Sequence, residues 1–223
     1  HAQAGKLAIA ALASDDPQLK AGGAKLLAEM TSPPAEAMAP LAQALADDNR
    51  TVVANSIEAL ASYGPASVPV LVEALNDPNR RGPAIATLAV LGPDAKDALV
   101  ALIQLPKSDD PQMRREVALA IGAIGPGATG AVDALTQLLA DEQLEVRYGA
   151  CHALGRIGPP AKSAVSALAA LLNHDDTLLP VAAAWALAHI DPEDAQNSPR
   201  LVSILSGSLA DLPELARAAV IVT

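Results

Sequence analysis

Apolar residues recur along this chain at helical spacing, not in alternation. From 128 to 140, Val132, Leu135, Leu138 and Leu139 share one face of a 3.6-residue helix. From Leu144 to Ile157 the face is Val146, Ala150, Ala153, Leu154 and Ile157. The same columns return as Met113, Val117, Ala120, Ile121 and Ile124, and as Leu179, Ala183, Ala186, Leu187 and Ile190. Leu212, Ala216, Ala219 and Val220 continue them near the end. The pattern predicts a series of amphipathic helices.

A fixed punctuation separates them. It reads Gly64-Pro65-Ala66, Gly92-Pro93-Asp94-Ala95, Gly125-Pro126-Gly127-Ala128 and Gly158-Pro159-Pro160-Ala161, with degenerate copies at Ser32-Pro33-Pro34-Ala35 and Asp191-Pro192-Glu193-Asp194-Ala195. Gly supplies the left-handed backbone that closes a helix, and Pro pre-sets the first turn of the next one. Inside each interval stands an acidic turn: Asp15-Asp16, Asp47-Asp48, Asp77-Pro78, Asp109-Asp110, Asp141-Glu142, Asp175-Asp176 and Asp211. Asp there caps the following helix and favours its positive end. The 223 residues thus divide into units 1–31, 32–63, 64–91, 92–124, 125–157, 158–190 and 191–223. Each unit is a helical hairpin that cannot bury its apolar face alone, so neighbours must stack. The expectation is one all-α domain over residues 1–223, an α-solenoid of about seven two-helix repeats. Polar caps are missing at both ends, where the chain finishes on Ala218-Ala219-Val220-Ile221-Val222-Thr223. This predicts a fragment of a longer protein, with self-association through open ends as the alternative.

Composition changes the picture in three ways. Apolar residues make up 51% of the chain but aromatics only 1%, with two Tyr, one Trp and no Phe. Bulk therefore comes from Leu, Val and Ile with Ala in the gaps, which suits many similar helix contacts better than one thick core. The net charge of −10 argues against nucleic acid as the main partner, because phosphate binding draws on a basic stripe, and it disfavours anionic membranes. No apolar run reaches the roughly 18 residues needed to span a bilayer, so membrane insertion is not expected. The one Cys forms no intramolecular disulfide. The first residue is His1 and no signal peptide is visible, which leaves the compartment open and the cytoplasm slightly favoured.

At these residues the chain resembles HEAT-type repeats, specifically the short bacterial HEAT-like variety. The match rests on the Gly-Pro-x-Ala starts, the first-helix ladder, the acidic turn, and the apolar-Arg pairs Met113-Arg114 and Val146-Arg147 that open second helices. The resemblance implies a right-handed superhelix whose second helices line the concave face. It also implies a recurring Asp and Arg that interact between neighbouring units, placed on Asp141 and Arg147 and on Ser108 or Asp109 and Arg114. Pro40 and Pro69 sit in first turns where family members often carry Pro. Val53 and Pro180 stand where the ladder would have Arg. The unit 64–91 is five residues shorter than those that follow and carries Arg80-Arg81-Gly82-Pro83 where its second helix opens. Since Pro is tolerated only in a first turn, a shortened helix and altered curvature are expected near 76–84.

Candidate chemistry follows from helix geometry. With Val146 at 0° and 100° per residue, the core column centres near 20°, while Tyr148, His152 and Gly155 lie between about 180° and 240°. Across the units this outward face is mostly small or bland, except for Arg115, Tyr148, His152, Arg156, Trp185 and His189. Trp, Tyr and Arg dominate binding hot spots, so these six form a candidate groove for a peptide or protein segment, with an acidic group facing Arg115 and Arg156. The competing reading makes Trp185 and Tyr148 plugs in Ala-rich gaps. No metal site is expected, because zinc needs three or four converging ligands and the neighbours of His152 and His189 are cationic or apolar. Cys151 and His152 point apart on a helix, so Cys151 reads as a core thiol. Ser-His-Asp, P-loop and Rossmann signatures are absent, and no catalytic residue or cofactor is predicted. The function expected is a non-enzymatic scaffold for a protein or peptide partner. The runner-up resembles HEAT-like bilin lyases, in which Tyr148, Trp185, Arg115 and Arg156 would grip an open-chain tetrapyrrole. A helical-repeat DNA glycosylase is remote on charge grounds.

Overall fold

The computed structural model describes residues 2–105 and 108–211. Among them every regular element is helical. The chain divides into two compact units between Ser108 and Asp109. The first holds α1 (Ala2–Leu12) and α2 (Pro17–Glu29), α3 (Met38–Ala44) and α4 (Arg50–Ser62), α5 (Val68–Ala74) and α6 (Pro78–Leu91), and α7 (Leu99–Gln104). The second holds α8 (Pro111–Ile124), α9 (Val132–Leu138) and α10 (Leu144–Ile157), α11 (Val165–Leu171) and α12 (Leu179–Ile190), then α13 (Pro192–Asn197) and α14 (Pro199–Asp211). The columns at Leu212, Ala216, Ala219 and Val220 lie outside the described residues.

Second helices pack side by side in each unit, α2 on α4 and α4 on α6, then α8 on α10 and α10 on α12, with first helices behind them. The core is the predicted one: Val146, Ala150, Ala153, Leu154 and Ile157 are all fully buried, as are Val117, Ala120 and Ile121 on α8 and Ala183 and Ala186 on α12. Met113 is only half-buried.

The punctuation works with one refinement. Gly92, Gly125 and Gly158 end α6, α8 and α10 at φ/ψ of 56/−124°, 70/−141° and 73/−144°. The positive φ is as expected, but ψ has the sign opposite to a left-handed helical turn. This is a region essentially reserved for glycine. The first helices do not begin directly. A 3-10 turn runs over Gly92–Ala98, Gly125–Ala131 and Pro159–Ala164 before α7, α9 and α11. The continuous helix expected from Ala128 is interrupted at Ala128 itself, whose φ/ψ of −90/21° is not helical. Pro after the Gly offers no N–H, so the tighter 3-10 bonding serves as the connector there.

Most acidic turns act as caps. Asp16, Asp77 and Asp110 accept the backbone N–H of Gln18, Asn79 and Gln112 at 2.8, 2.9 and 2.9 Å, and Asp176 accepts those of Leu178 and Leu179 at 2.9 and 2.7 Å. In the second hairpin Asn49 takes the capping role, accepting from Thr51 N at 2.9 Å.

The short unit corrects an expectation. Helix α6 is not shortened: it spans 14 residues, as α8 and α10 do. Pro83 lies inside it, more than a turn past the Asp77 cap, and removes one helical donor. Thr87 Oγ1 donates to the Pro83 carbonyl at 2.8 Å. The missing residues come from the connectors. The 3-10 turn Gly64–Ser67 has four residues where Gly125–Ala131 has seven, and three residues (75–77) join α5 to α6 where five (139–143) join α9 to α10. Connectors shorten at little cost because they bury few apolar contacts. The stretch Pro111–Leu138 is long and apolar enough by composition to cross a membrane. It is nonetheless α8 and α9 joined through the Gly125 break, and more than half of its most apolar 18-residue window is buried inside the protein.

Candidate functional site

Two kinds of polar structure tie second helices to their neighbours. The first is the cation–carboxylate rung implied by the sequence. From α8, Arg114 Nε and Nη2 donate to Asp141 Oδ2 and Oδ1 at 2.7 and 2.8 Å, a bidentate fork reaching the turn before α10. Both side chains are largely buried, at 15% and 9% exposure. The guanidinium is the main reason the Asp141 carboxyl is held below its ordinary range, followed by the Gln143 N–H among the favourable contacts. An equivalent rung that the Arg pattern did not reveal joins Lys20 on α2 to Asp47 at 2.7 Å. It could have been found by extending the Arg114 column back to position 20 and accepting Lys. Arg81, in the same column, instead donates to the Leu75 carbonyl of its own hairpin at 2.7 Å.

The next rung fails. Arg147 on α10 points at the turn before α12, where His174 stands in place of Asp. Its Nη1 lies 3.0 Å from His174 Nε2. His174 Nδ1 already accepts the Asp176 N–H at 3.1 Å, so the neutral ring carries its proton on Nε2 and presents a donor to a donor. The Arg147 Nε is buried with no hydrogen-bond partner.

The second is a ring stack within the six residues predicted on the outward face: His152, Trp185 and His189 come together with Arg156 near, while Tyr148 turns to Asp176 and Arg115 lies against Gly149 on the α8 side. Helix α8 supplies Arg115, α10 supplies Tyr148, His152 and Arg156, and α12 supplies Trp185 and His189. His152 and Trp185 stack in parallel, with ring centroids 5.4 Å apart and planes at 4°. His189 lies on Trp185 at 4.1 Å and 37°. The i,i+4 spacing of Trp185 and His189 puts both on one face of α12. His189 Nδ1 donates to the Trp185 carbonyl at 2.8 Å, which fixes that ring. Desolvation is the first cause that holds His152 below its ordinary value, followed by the charges of Arg156 and His189. Arg115, His152 and Arg156 are exposed, while Tyr148, Trp185 and His189 are half-buried.

Tyr148 is engaged elsewhere. Its O–H donates to Asp176 Oδ1 at 2.6 Å, bridging α10 to the turn before α12. Burial first, and then this bond, push the phenol up to about 12. Cys151 is fully buried, and burial pushes its thiol up to about 12, which makes it a core group and not a nucleophile.

Sequence reasoning placed Gly155 on the outward face, but it is buried. A Cβ there would overlap Trp185 Cζ3 and come within 2.9 Å of Cε3 and 3.0 Å of Ala186 Cα. Trp185 therefore lies flat over Gly155, and the ring is seated partly because that side chain is missing. The available signal was a mid-helix glycine, which costs about 1 kcal/mol against alanine and so asks for a packing reason. Among the described residues no group of three or more His, Cys, Asp or Glu could hold a metal ion.

The fold and these rungs define an α-solenoid of two-helix repeats. The sequence matches the family of HEAT repeats over residues 6–92, 99–188 and 132–223, and the chain belongs to that family. No curated protein matches it. Among solved structures, an engineered protein is 26% identical with a TM-score of 0.58, covering 85% of this chain and 98% of its own. A designed armadillo repeat protein in complex with the peptide (KR)4 is 20% identical with a TM-score of 0.58, covering 82% and 98%. The complex of CpcE and CpcF of phycocyanin lyase from Nostoc sp. PCC7120 is 21% identical with a TM-score of 0.61, covering 69% and 99%. At these last two identities the likeness is one of fold.

Proposed function

We propose that the protein is a non-enzymatic interaction scaffold that takes a protein or peptide segment on the outward face of α8, α10 and α12. The observation that carries this reading is the His152–Trp185–His189 stack, with the exposed Arg156 acting on His152 and the exposed Arg115 on the neighbouring helix α8. A rigid aromatic platform with flanking guanidiniums is the composition of a binding hot spot. It is held by helices whose spacing is set by buried neighbours, so little ordering is lost on binding. A solved relative by fold, the designed armadillo protein, holds a peptide, which supports the kind of partner. The lyase-subunit alternative rests on the fold likeness to the CpcE–CpcF complex. Under it, an added bilin would change its visible absorbance in a manner that depends on Trp185.

A displayed random-peptide library selected on the protein, then rescreened on Trp185→Ala and Arg156→Ala, tests the scaffold. Peptides that lose both variants while melting is unchanged support it. Peptides that bind both variants as well as the parent overturn the assignment of the face.

A further inference from the structure

We infer that the segment bound on this face is acidic, with two carboxylates held by Arg115 and Arg156 and an apolar side chain lying against the ring stack from its His152 side. This rests on the scaffold reading above and adds the chemistry of the partner.

Three observations point the same way. Arg115 and Arg156 are exposed and make no ion pair among the described residues, whereas Arg114, one residue away, is consumed by Asp141. Asp176, the carboxylate that holds Tyr148, is directed at the Tyr148 hydroxyl and two backbone N–H groups and forms no ion pair with either guanidinium. The imidazoles are held within the ring stack. His189 spends its Nδ1 proton on the Trp185 carbonyl. His152 is disfavoured from charging by desolvation and by Arg156. The rings therefore form the apolar part of the surface, and the guanidiniums the charged part. The chain's overall charge of −10 does not oppose this at short range, since salt screens exposed charges beyond about 8 Å at physiological ionic strength.

The geometry also sets a spacing. Arg115 and Tyr148 occupy equivalent places on α8 and α10, and Arg156 lies eight residues beyond Tyr148. At 1.5 Å per residue along the axis and 8–10 Å between helices, the two Arg Cα atoms stand about 15 Å apart. An extended peptide covers that distance in about four to five residues. Carboxylates four apart with an apolar residue between them match that Cα separation better than adjacent ones do.

The chain's one tryptophan is Trp185, so its fluorescence reports on the site alone. The test titrates the protein with four synthetic nonapeptides: one with two Glu four residues apart flanking a Leu, its Lys and Gln counterparts, and an isomer with the two Glu adjacent. The spaced Glu peptide should shift the emission saturably and bind at least about tenfold tighter than the others. The Arg115→Ala/Arg156→Ala pair should abolish that preference without changing the melting temperature. Gly155→Ala should weaken binding while both arginines remain, because it unseats the ring. A Lys or Gln peptide that shifts Trp185 as tightly as the Glu peptide overturns the acidic assignment and leaves the scaffold reading standing. Equal binding of the two Glu isomers overturns the spacing. If no peptide perturbs Trp185 up to about 1 mM, and library peptides also ignore Trp185→Ala, both readings fall.

Discussion

The contact of α8 with α10 and that of α10 with α12 occupy equivalent places in successive hairpins, and they are finished differently. In the first, Gly122 lets the helices close: a Cβ there would lie 2.8 Å from Ala153 Cα. The rung above it is complete, because Asp141 has two oxygens and satisfies both Arg114 and the Gln143 N–H, at 3.0 Å for the latter. In the second, Gly155 makes room for the Trp185 ring. The rung is frustrated, since His174 must face both Arg147 and the Asp176 N–H with one lone pair. Tyr148 supplies a different tie, to Asp176. The same backbone thus carries one contact with a completed rung and one whose rung is incomplete where the aromatic side chains gather. In a repeat array, the departures from the column are where function is to be sought.

Four measurements sharpen or break that contrast. Leu154 is fully buried on α10, the helix common to both contacts. Leu154→Ala should cost about 2–5 kcal/mol in denaturant unfolding, and a cost under about 1 kcal/mol would show that the core register is wrong. Gly122→Ala should cost about 1–3 kcal/mol because the clash is with backbone. Gly155→Ala should cost less, since the Trp185 ring can move away and its backbone contact, Ala186 Cα at 3.0 Å, is the looser of the two. If Gly155→Ala proves the more costly of the two, the ring is locked in the core and the open-face reading of Trp185 fails.

Asp141→Asn should cost about 1–3 kcal/mol by leaving a mostly buried guanidinium without its charge partner. The pH dependence carries a sign. The Asp141 carboxyl is held below its ordinary value of 3.8, so its stabilising contribution is complete above that value and is lost as pH falls through the lower folded one. The variant should therefore flatten the acid limb of the stability profile, and an unchanged limb would mean the rung is unimportant. The smallest effect is a gain. His174→Asp gives Arg147 a carboxylate and keeps an acceptor for the Asp176 N–H, copying the Asp141 arrangement. It should raise stability by up to about 1 kcal/mol, limited by the neighbouring Asp175 and Asp176. A loss of stability would show that the Arg147–His174 contact is favourable as it stands.

Much of this was legible in the residue order. The helix Leu144–Ile157, its five buried core positions and the Gly-Pro boundaries follow from periodicity and backbone chemistry, and the structure has them there. The six outward residues were also legible as exceptions within columns. The state of Trp185 was not, because its burial depends on a glycine 30 residues away on the facing helix. Tyr148 looked like part of a free surface until the Asp176 carboxylate was seen to hold its hydroxyl. Lys20 escapes a ladder defined by Arg alone, although its ammonium makes the same bridge to Asp47.

By itself the sequence determined what repeats every few residues and every hairpin: helical faces, caps, breaks and the all-α class. These depend on local backbone preferences and on an apolar period that each hairpin shows separately. The tertiary structure decided what depends on pairs of residues from different hairpins. It completed the rung at Asp141 and left that at His174 incomplete, seated Trp185 over Gly155, and shortened connectors where the Pro83 motif had suggested a shortened helix. Such pairings are settled by distances of a few tenths of an ångström between helices, and no one-dimensional period contains them.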